Sequence, residues 1–69
     1  ISVYPNPTMG AFTINGNVII ERVELINQLG QIIELNGTTQ FDIAAVPAGL
    51  YSIKITTNNG VFATQLIKQ

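Results

Sequence analysis

Hydrophobic and polar residues alternate along several short segments of the chain. The clearest segment spans residues 50–57, in which Tyr51, Ile53 and Ile55 fall on one side and polar residues on the other. A period of two residues is typical of a β-strand with one buried face. The alternating segments predict seven inward side chains that share one core: Phe12, Ile14, Val23, Leu25, Tyr51, Ile53 and Ile55.

Turn-forming residues separate these segments at close intervals. Prolines 5 and 7 interrupt the first segment, and Asn-Gly pairs or single glycines follow most of the others. Gly30 and Gly49 are predicted at turns where a side chain is poorly tolerated. The segments between turns predict an all-β sandwich of about seven short strands, over residues 1–4, 11–14, 22–26, 31–35, 39–43, 50–57 and 61–68.

One stretch is predicted to be irregular. Residues 42–49 contain Asp42 followed by alanines, Pro47 and Gly49, and have room for one helical turn. Asp42 is expected to accept backbone hydrogen bonds there, as Asp does in tight turns. No segment of the chain has the period of a longer helix.

The composition excludes several classes of function. The 69 residues include neither Cys nor His, and three basic against four acidic residues give a net charge of -1. A nucleic-acid-binding domain needs a basic surface, which this chain lacks. No apolar run approaches the roughly 20 residues of a membrane-spanning helix. We therefore predict no nucleic-acid partner, no direct membrane insertion, no metal and no cofactor.

The remaining candidates for chemistry are carboxylates, hydroxyls and one lysine. Glu24 and Glu34 can approach each other across a hairpin, and paired carboxylates can perform acid–base catalysis. Solvated charge on a sheet face is the favoured interpretation. Lys54 shares a face with Ser52, and we interpret it as an exposed charge that discourages pairing at a sheet edge. The residues therefore predict no catalytic site.

Four segments, in order along the whole chain, resemble the type A C-terminal sorting domain of the type IX (Por) secretion system. Residues 3–12 (VYPNPTMGAF) resemble its opening YPNPT-x-G-x-F motif, and residues 23–31 (VELINQLGQ) its central hairpin. Residues 42–43 (DI) with 47–55 (PAGLYSIKI) and 66–68 (LIK) resemble its later motifs. Gln65 departs from the family, since many members carry Lys there.

The resemblance implies an immunoglobulin-like sandwich of seven mainly antiparallel strands that works as a non-catalytic export signal. It implies that residues 1–69 are the C-terminal domain of a larger secreted protein, a reading that fits a chain without an initiator Met. An attached cargo domain upstream would travel through the periplasm of a Gram-negative bacterium to the cell surface or medium. The motifs imply these recognition residues: Pro5, Asn6, Pro7, Gly10, Gly49, Tyr51, Lys54 and Lys68.

The resemblance also implies partners. An outer-membrane translocon and its shuttle proteins recognise such domains, and in many members a sortase-like peptidase removes the domain and joins the cargo to an anionic lipopolysaccharide. An exposed edge strand is a suitable recognition element because a partner strand can extend it. The last strand, over residues 61–68, is our candidate for such an edge.

Two other functions remain open at the level of sequence. The first is an accessory module of a secreted enzyme that binds carbohydrate or mediates adhesion. The aromatic residues are expected to alternate inward, which disfavours it, whereas an exposed row of Tyr4, Phe12 and Phe62 would favour it. The second is an enzyme, for which a deep pocket at Lys54 and a carboxylate would be needed.

Overall fold

Seven β-strands and no helix make up the protein. The computed structural model describes residues 1–69. The strands are β1 (Ser2–Tyr4), β2 (Ala11–Asn15), β3 (Ile20–Ile26), β4 (Ile32–Leu35), β5 (Gln40–Asp42), β6 (Gly49–Thr57) and β7 (Gly60–Lys68). Each predicted strand is present. No helix that could span a membrane is found.

The strands form two sheets whose inner faces enclose the core. One sheet has the order β1-β2-β5 and the other the order β4-β3-β6-β7. Every pairing between strands is antiparallel. This arrangement confirms the predicted immunoglobulin-like β-sandwich. The central strand β6 is held between β3 and β7, whereas β7 lies at the edge of its sheet.

The core consists of ten buried hydrophobic residues from both sheets. All seven side chains predicted from the alternation belong to it. Sequence reasoning missed Phe41, Ile43 and Leu66. Phe41 stacks on Phe12 with 5.5 Å between the ring centroids, so the short strand β5 contributes a large aromatic surface to the core.

The connection between β5 and β6 contains a tight turn. Val46 N–H donates to the carbonyl of Ile43 at 3.1 Å, and the connection is irregular, as predicted, without a helix. The side chain of Asp42 explains the tight turn, because its Oδ1 accepts a hydrogen bond from the amide of Ala44 at 2.8 Å. This contact confirms the role predicted for Asp42.

The two glycines predicted at turns have backbone conformations that favour glycine. Gly30 has φ of 84° and Gly49 has φ of 154°. L-residues rarely adopt such positive values because Cβ collides with the backbone. Gly49 is the first residue of β6 and pairs with Lys68.

Candidate recognition surface

The opening motif of the chain contacts the last strand. The side-chain amide of Asn6 donates to the carbonyl of Gln65 at 2.9 Å, and its Oδ1 accepts from the amide of Ile67 at 3.0 Å. An Asn side chain carries the same donor and acceptor groups as a peptide unit. Asn6 therefore takes the place of a neighbouring strand beside the C-terminal part of β7.

Thr8 continues this pairing. Its amide donates to the carbonyl of Ile67 and its carbonyl accepts from the amide of Gln69, both at 2.8 Å, as a single parallel bridge opposite Lys68. The hydroxyl of Thr8, which is fully buried, donates to the carbonyl of Ala11 at 2.5 Å and accepts from the amide of Gly10 at 3.0 Å. Burial of this hydroxyl is tolerated because both of its hydrogen-bonding roles are filled.

Thr8 is a structural anchor of the opening motif that sequence reasoning missed. The sequence feature that could have indicated it is a threonine two residues before a glycine, because the threonine hydroxyl can accept a hydrogen bond from the backbone N–H two residues later. The neighbours of Asn6 are different, because Pro5 and Pro7 are exposed and each follows a cis peptide bond. The opening motif thus combines one buried anchor with an exposed loop.

Two further motif residues, Gly10 and Tyr51, are buried. A Cβ on Gly10 would lie 3.0 Å from the Cβ of Ala44, so the buried backbone approach needs a glycine. Tyr51 is buried and its hydroxyl donates to the carbonyl of Pro47 at 2.5 Å. This bond back to the preceding connection resembles the tyrosine corner of immunoglobulin-like domains.

The two lysines of the motifs lie on opposite faces of the four-stranded sheet. Lys68 pairs with Gly49 in register and is half-buried on the inner side, beyond the end of the core. Lys54 is exposed on the outer face, between Glu24 and Ala63. Its predicted exposure is confirmed, but β6 is a central strand. The prediction that Lys54 discourages pairing at an edge is therefore wrong.

The sequence-predicted recognition residues therefore form one group and leave one outlier. Asn6, between Pro5 and Pro7, binds the C-terminal part of β7. Gly49 and Tyr51 are the register partners of Lys68 and Leu66, and Gly10 donates to the hydroxyl of Thr8. Only Lys54 lies elsewhere. We use the name Asn6 surface for the exposed part of this group together with its partner on β7: Pro5, Asn6, Pro7, Ile67 and Lys68.

Two of the carboxylates, Glu24 and Glu34, are neighbours on the four-stranded sheet. Glu24 and Glu34 are register partners on β3 and β4, as predicted, and Arg22 binds Glu34 with 3.3 Å between Nε and Oε2. Both partners of this ion pair are more than half exposed, so it contributes little to stability. None of the surface depressions includes Lys54. No three metal-binding side chains are grouped.

Two aromatic residues differ from the predicted inward pattern. Tyr4 is 49% exposed and Phe62 is 37% exposed, whereas Phe12 is buried. Phe62 is on the inner side of β7, but β1, with three residues, is too short to cover it. Since Phe12 is in the core, the exposed aromatic row that would indicate a carbohydrate platform is not formed.

The two sheets and the loop anchored on the last strand define the class of small immunoglobulin-like β-sandwich domains. The comparison with known families places it more closely: the chain belongs to the secretion system C-terminal sorting domains, whose profile matches residues 2–69. It is therefore a C-terminal sorting signal of the type IX secretion system. Such signals direct the export of secreted or cell-surface proteins.

A relative has the same type of domain. The chain is 36% identical over 74 residues to the ulvan lyase NLR42 of Nonlabens ulvanivorans. The alignment covers 97% of this chain but only 14% of that protein, so the chain spans about one seventh of its length. The role of the shared family is sorting, and the lyase activity in the relative's name belongs to the larger protein.

Proposed function

We propose that the outer-membrane translocon and shuttle proteins of the type IX system recognise this domain through the Asn6 surface. The domain is covalently attached to an upstream cargo, which we take to be a secreted enzyme by analogy with the ulvan lyase relative. A sortase-like peptidase then removes the domain at the cell surface. Residues 1–69 act as one independently folding sorting unit.

The observation that carries the proposal is the pair of hydrogen bonds in which the Asn6 side chain donates to the carbonyl of Gln65 and accepts from the amide of Ile67. A signal shared by unrelated cargoes has to display its recognition groups on its own surface. The exposed Pro5 and Pro7 are held on either side of an anchored side chain. A loop held in one conformation loses less conformational entropy on binding, which favours recognition.

The other motif residues have supporting roles in this proposal. Gly10 allows the buried approach to Ala44, while Gly49 and Tyr51 set the start of β6 opposite Lys68. Lys54 is outside the Asn6 surface, because it lies on the other face of the sheet and its register partner, Ala63, is five residues along β7 from Lys68. That distance is on the order of 16 Å at ~3.3 Å per residue.

The test is an export assay in a host with a type IX system. A periplasmic reporter fused ahead of residues 1–69 is expected at the cell surface or in the medium. Lys68→Gln is expected to lower the exported fraction, whereas Lys54→Gln, the matched control, should export like the parent. Glutamine is used because a glutamate at position 54 would face Glu24 and destabilise the sheet.

Two results would contradict the proposal at different levels. Retention of the parent fusion in the periplasm, in a host whose own cargoes are exported, would show that these residues are not sufficient for sorting. Normal export of Lys68→Gln together with retention of Lys54→Gln would move the recognition surface to the outer face of the sheet. Thermal unfolding of both purified variants checks that each remains folded.

A further inference from the structure

The outer edge of β7 is only partly covered. In an antiparallel strand, the N–H and C=O of one residue both point to the neighbouring strand on one side, and those of the next residue both point to the other side. Gln65 and Ile67 bond outward to Asn6 and Thr8, which fixes the odd-numbered residues of β7 as the outward set. Val61 and Ala63 belong to this set and have no strand beside them, because β7 pairs only with β6.

The two halves of this edge differ in what covers them. From the Gln65 carbonyl to the Gln69 amide, Asn6 and Thr8 supply the partners. The outward backbone groups from Val61 to the Gln65 amide have no hydrogen-bond partner within the protein. We call residues 61–65 the open edge. It continues, along the same strand, the edge to which Asn6 and Thr8 are hydrogen-bonded. Its free donors and acceptors match an extended peptide backbone.

The open edge lacks the protection found at the other edges. Strands β1 and β5 have three residues each and β4 has four, and short edge strands discourage unwanted pairing. Strand β7 has nine residues, and residues 61–65 include neither a charged residue nor a proline. Natural proteins usually block so long an edge when it has no partner.

A groove of about 370 Å³ runs beside the open edge and separates β7 from β1. Ile1 and Val3 line one wall, Phe62 and Thr64 the other, and Ile55 contributes to its base. The groove explains why Phe62 is partly exposed although it points to the inner side. An apolar side chain placed here would cover Phe62 without displacing any part of the protein.

We propose that an extended, uncharged segment of the export machinery adds to β7 as a new strand along residues 61–65. Its backbone would bind the free groups of Val61, Ala63 and Gln65, and one or two of its alternate apolar side chains would fill the groove. The inference rests on the proposed function, since it names the chemistry of the partner that reads the sorting domain.

The size of the open edge favours a transient partner over a stable second copy of the domain. Five residues extend about 17 Å at ~3.3 Å per residue. A strip of that length and about 10 Å wide falls far below the roughly 800 Å² per partner of a stable interface. Weak binding suits a domain that must be released after export.

The decisive variant is Ala63→Pro. It removes the outward N–H of Ala63 but no bond to β6, and proline is tolerated on an edge strand when its N–H side faces solvent. The matched control is Ile32→Pro, at an outward-facing position of β4 on the opposite edge of the same sheet. In the reporter fusion, Ala63→Pro is expected to reduce the exported fraction at least tenfold, whereas Ile32→Pro should export like the parent.

The outcomes separate this inference from the proposed function. Failure of the parent fusion to export contradicts the sorting proposal itself. Export of the parent and of Ala63→Pro at equal levels leaves sorting intact and overturns the strand addition. Thermal melting of the purified domains shows whether Ala63→Pro is as stable as Ile32→Pro.

A second measurement does not depend on the proline variant. A photoreactive benzoylphenylalanine at position 63 is expected to cross-link to an outer-membrane component in exporting cells, and the same residue at position 32 is not. Cross-linking from position 32 alone would overturn the inference. Sedimentation of the purified domain tests whether a second copy occupies the open edge instead. A dimer that Ala63→Pro dissociates, together with unchanged export of that variant, would assign the open edge to a second copy and overturn the inference.

Discussion

At the scale of single residues, the burial of Tyr51 can be predicted from the sequence, whereas the hydrogen-bond partner of its hydroxyl cannot. Its place in an alternating segment predicts an inward ring, and a buried tyrosine hydroxyl is expected to have a partner. Both features are present in the structure. The identity of the partner, the Pro47 carbonyl, depends on how the connection between β5 and β6 turns. No periodicity describes that connection, and so the partner is found only in the folded chain.

Replacing Tyr51 with phenylalanine tests the contribution of this hydrogen bond. Tyr51→Phe keeps the ring in the core but leaves the Pro47 carbonyl without its donor. We expect the free energy of unfolding to fall by about 1 kcal/mol, the usual net value of one hydrogen bond. Urea denaturation measures the change. Tyr4→Phe is the control, since Tyr4 is half-exposed, and equal stability losses in the two variants would contradict a role for the hydroxyl.

At the scale of elements, the inward residues of a strand were predicted best where the strand is long and the opposite sheet covers its whole inner face. Strand β6 is covered by the second sheet, so its inward and outward residues alternate clearly. Strand β5 has three residues, too few for a period to be visible, which explains why Phe41 was missed. On β7 the inner set contains Phe62, Thr64 and Leu66, a mixture that arises because β1 covers only part of the strand.

The central position of β6 makes Ile53 a sensitive site. Its side chain is fully buried between Leu25 on β3 and Thr64 on β7. Ile53→Ala is expected to cost about 2 to 5 kcal/mol through the lost burial and the cavity that remains. Such a loss is a large part of the roughly 5 to 15 kcal/mol that stabilises a small domain.

The neighbouring residue provides the control for this measurement. Ser52 lies next to Ile53 on the same strand but faces solvent, so Ser52→Ala should change stability by less than about 0.5 kcal/mol. Chemical denaturation of both variants compares the two faces of β6. A loss below about 1 kcal/mol for Ile53→Ala would mean that the two sheets do not pack as described.

At the scale of the whole molecule, the important contact joins residues about sixty positions apart. Asn6 and Ile67 are separated by 61 positions along the chain, yet they share a hydrogen bond. The resemblance to the sorting family marks both regions as motifs but says nothing about their pairing. Long-range pairing depends on strand order, which local patterns do not determine. The two regions that meet were therefore visible in the sequence as separate motifs, and their pairing only in the fold.

Two substitutions of Asn6 test whether this contact closes the molecule. Asn6→Ala removes both hydrogen bonds, so the amide of Ile67 should exchange with solvent about fivefold faster, as expected for the loss of ~1 kcal/mol. Asn6→Asp keeps the acceptor for Ile67 but presents a carboxylate oxygen, instead of an amide donor, to the carbonyl of Gln65. That variant should lower the unfolding temperature while the Ile67 amide stays protected.

The control for the charge change is Asn17→Asp, at an exposed turn position whose side chain makes no hydrogen bond within the protein. It should leave both the unfolding temperature and the exchange of Ile67 unchanged. Hydrogen exchange followed by NMR distinguishes the variants because it reports on single amides. If Ile67 exchanges at the parent rate in Asn6→Ala, the opening motif does not hold the end of β7. The exposed loop would then owe its conformation to the buried Thr8 alone.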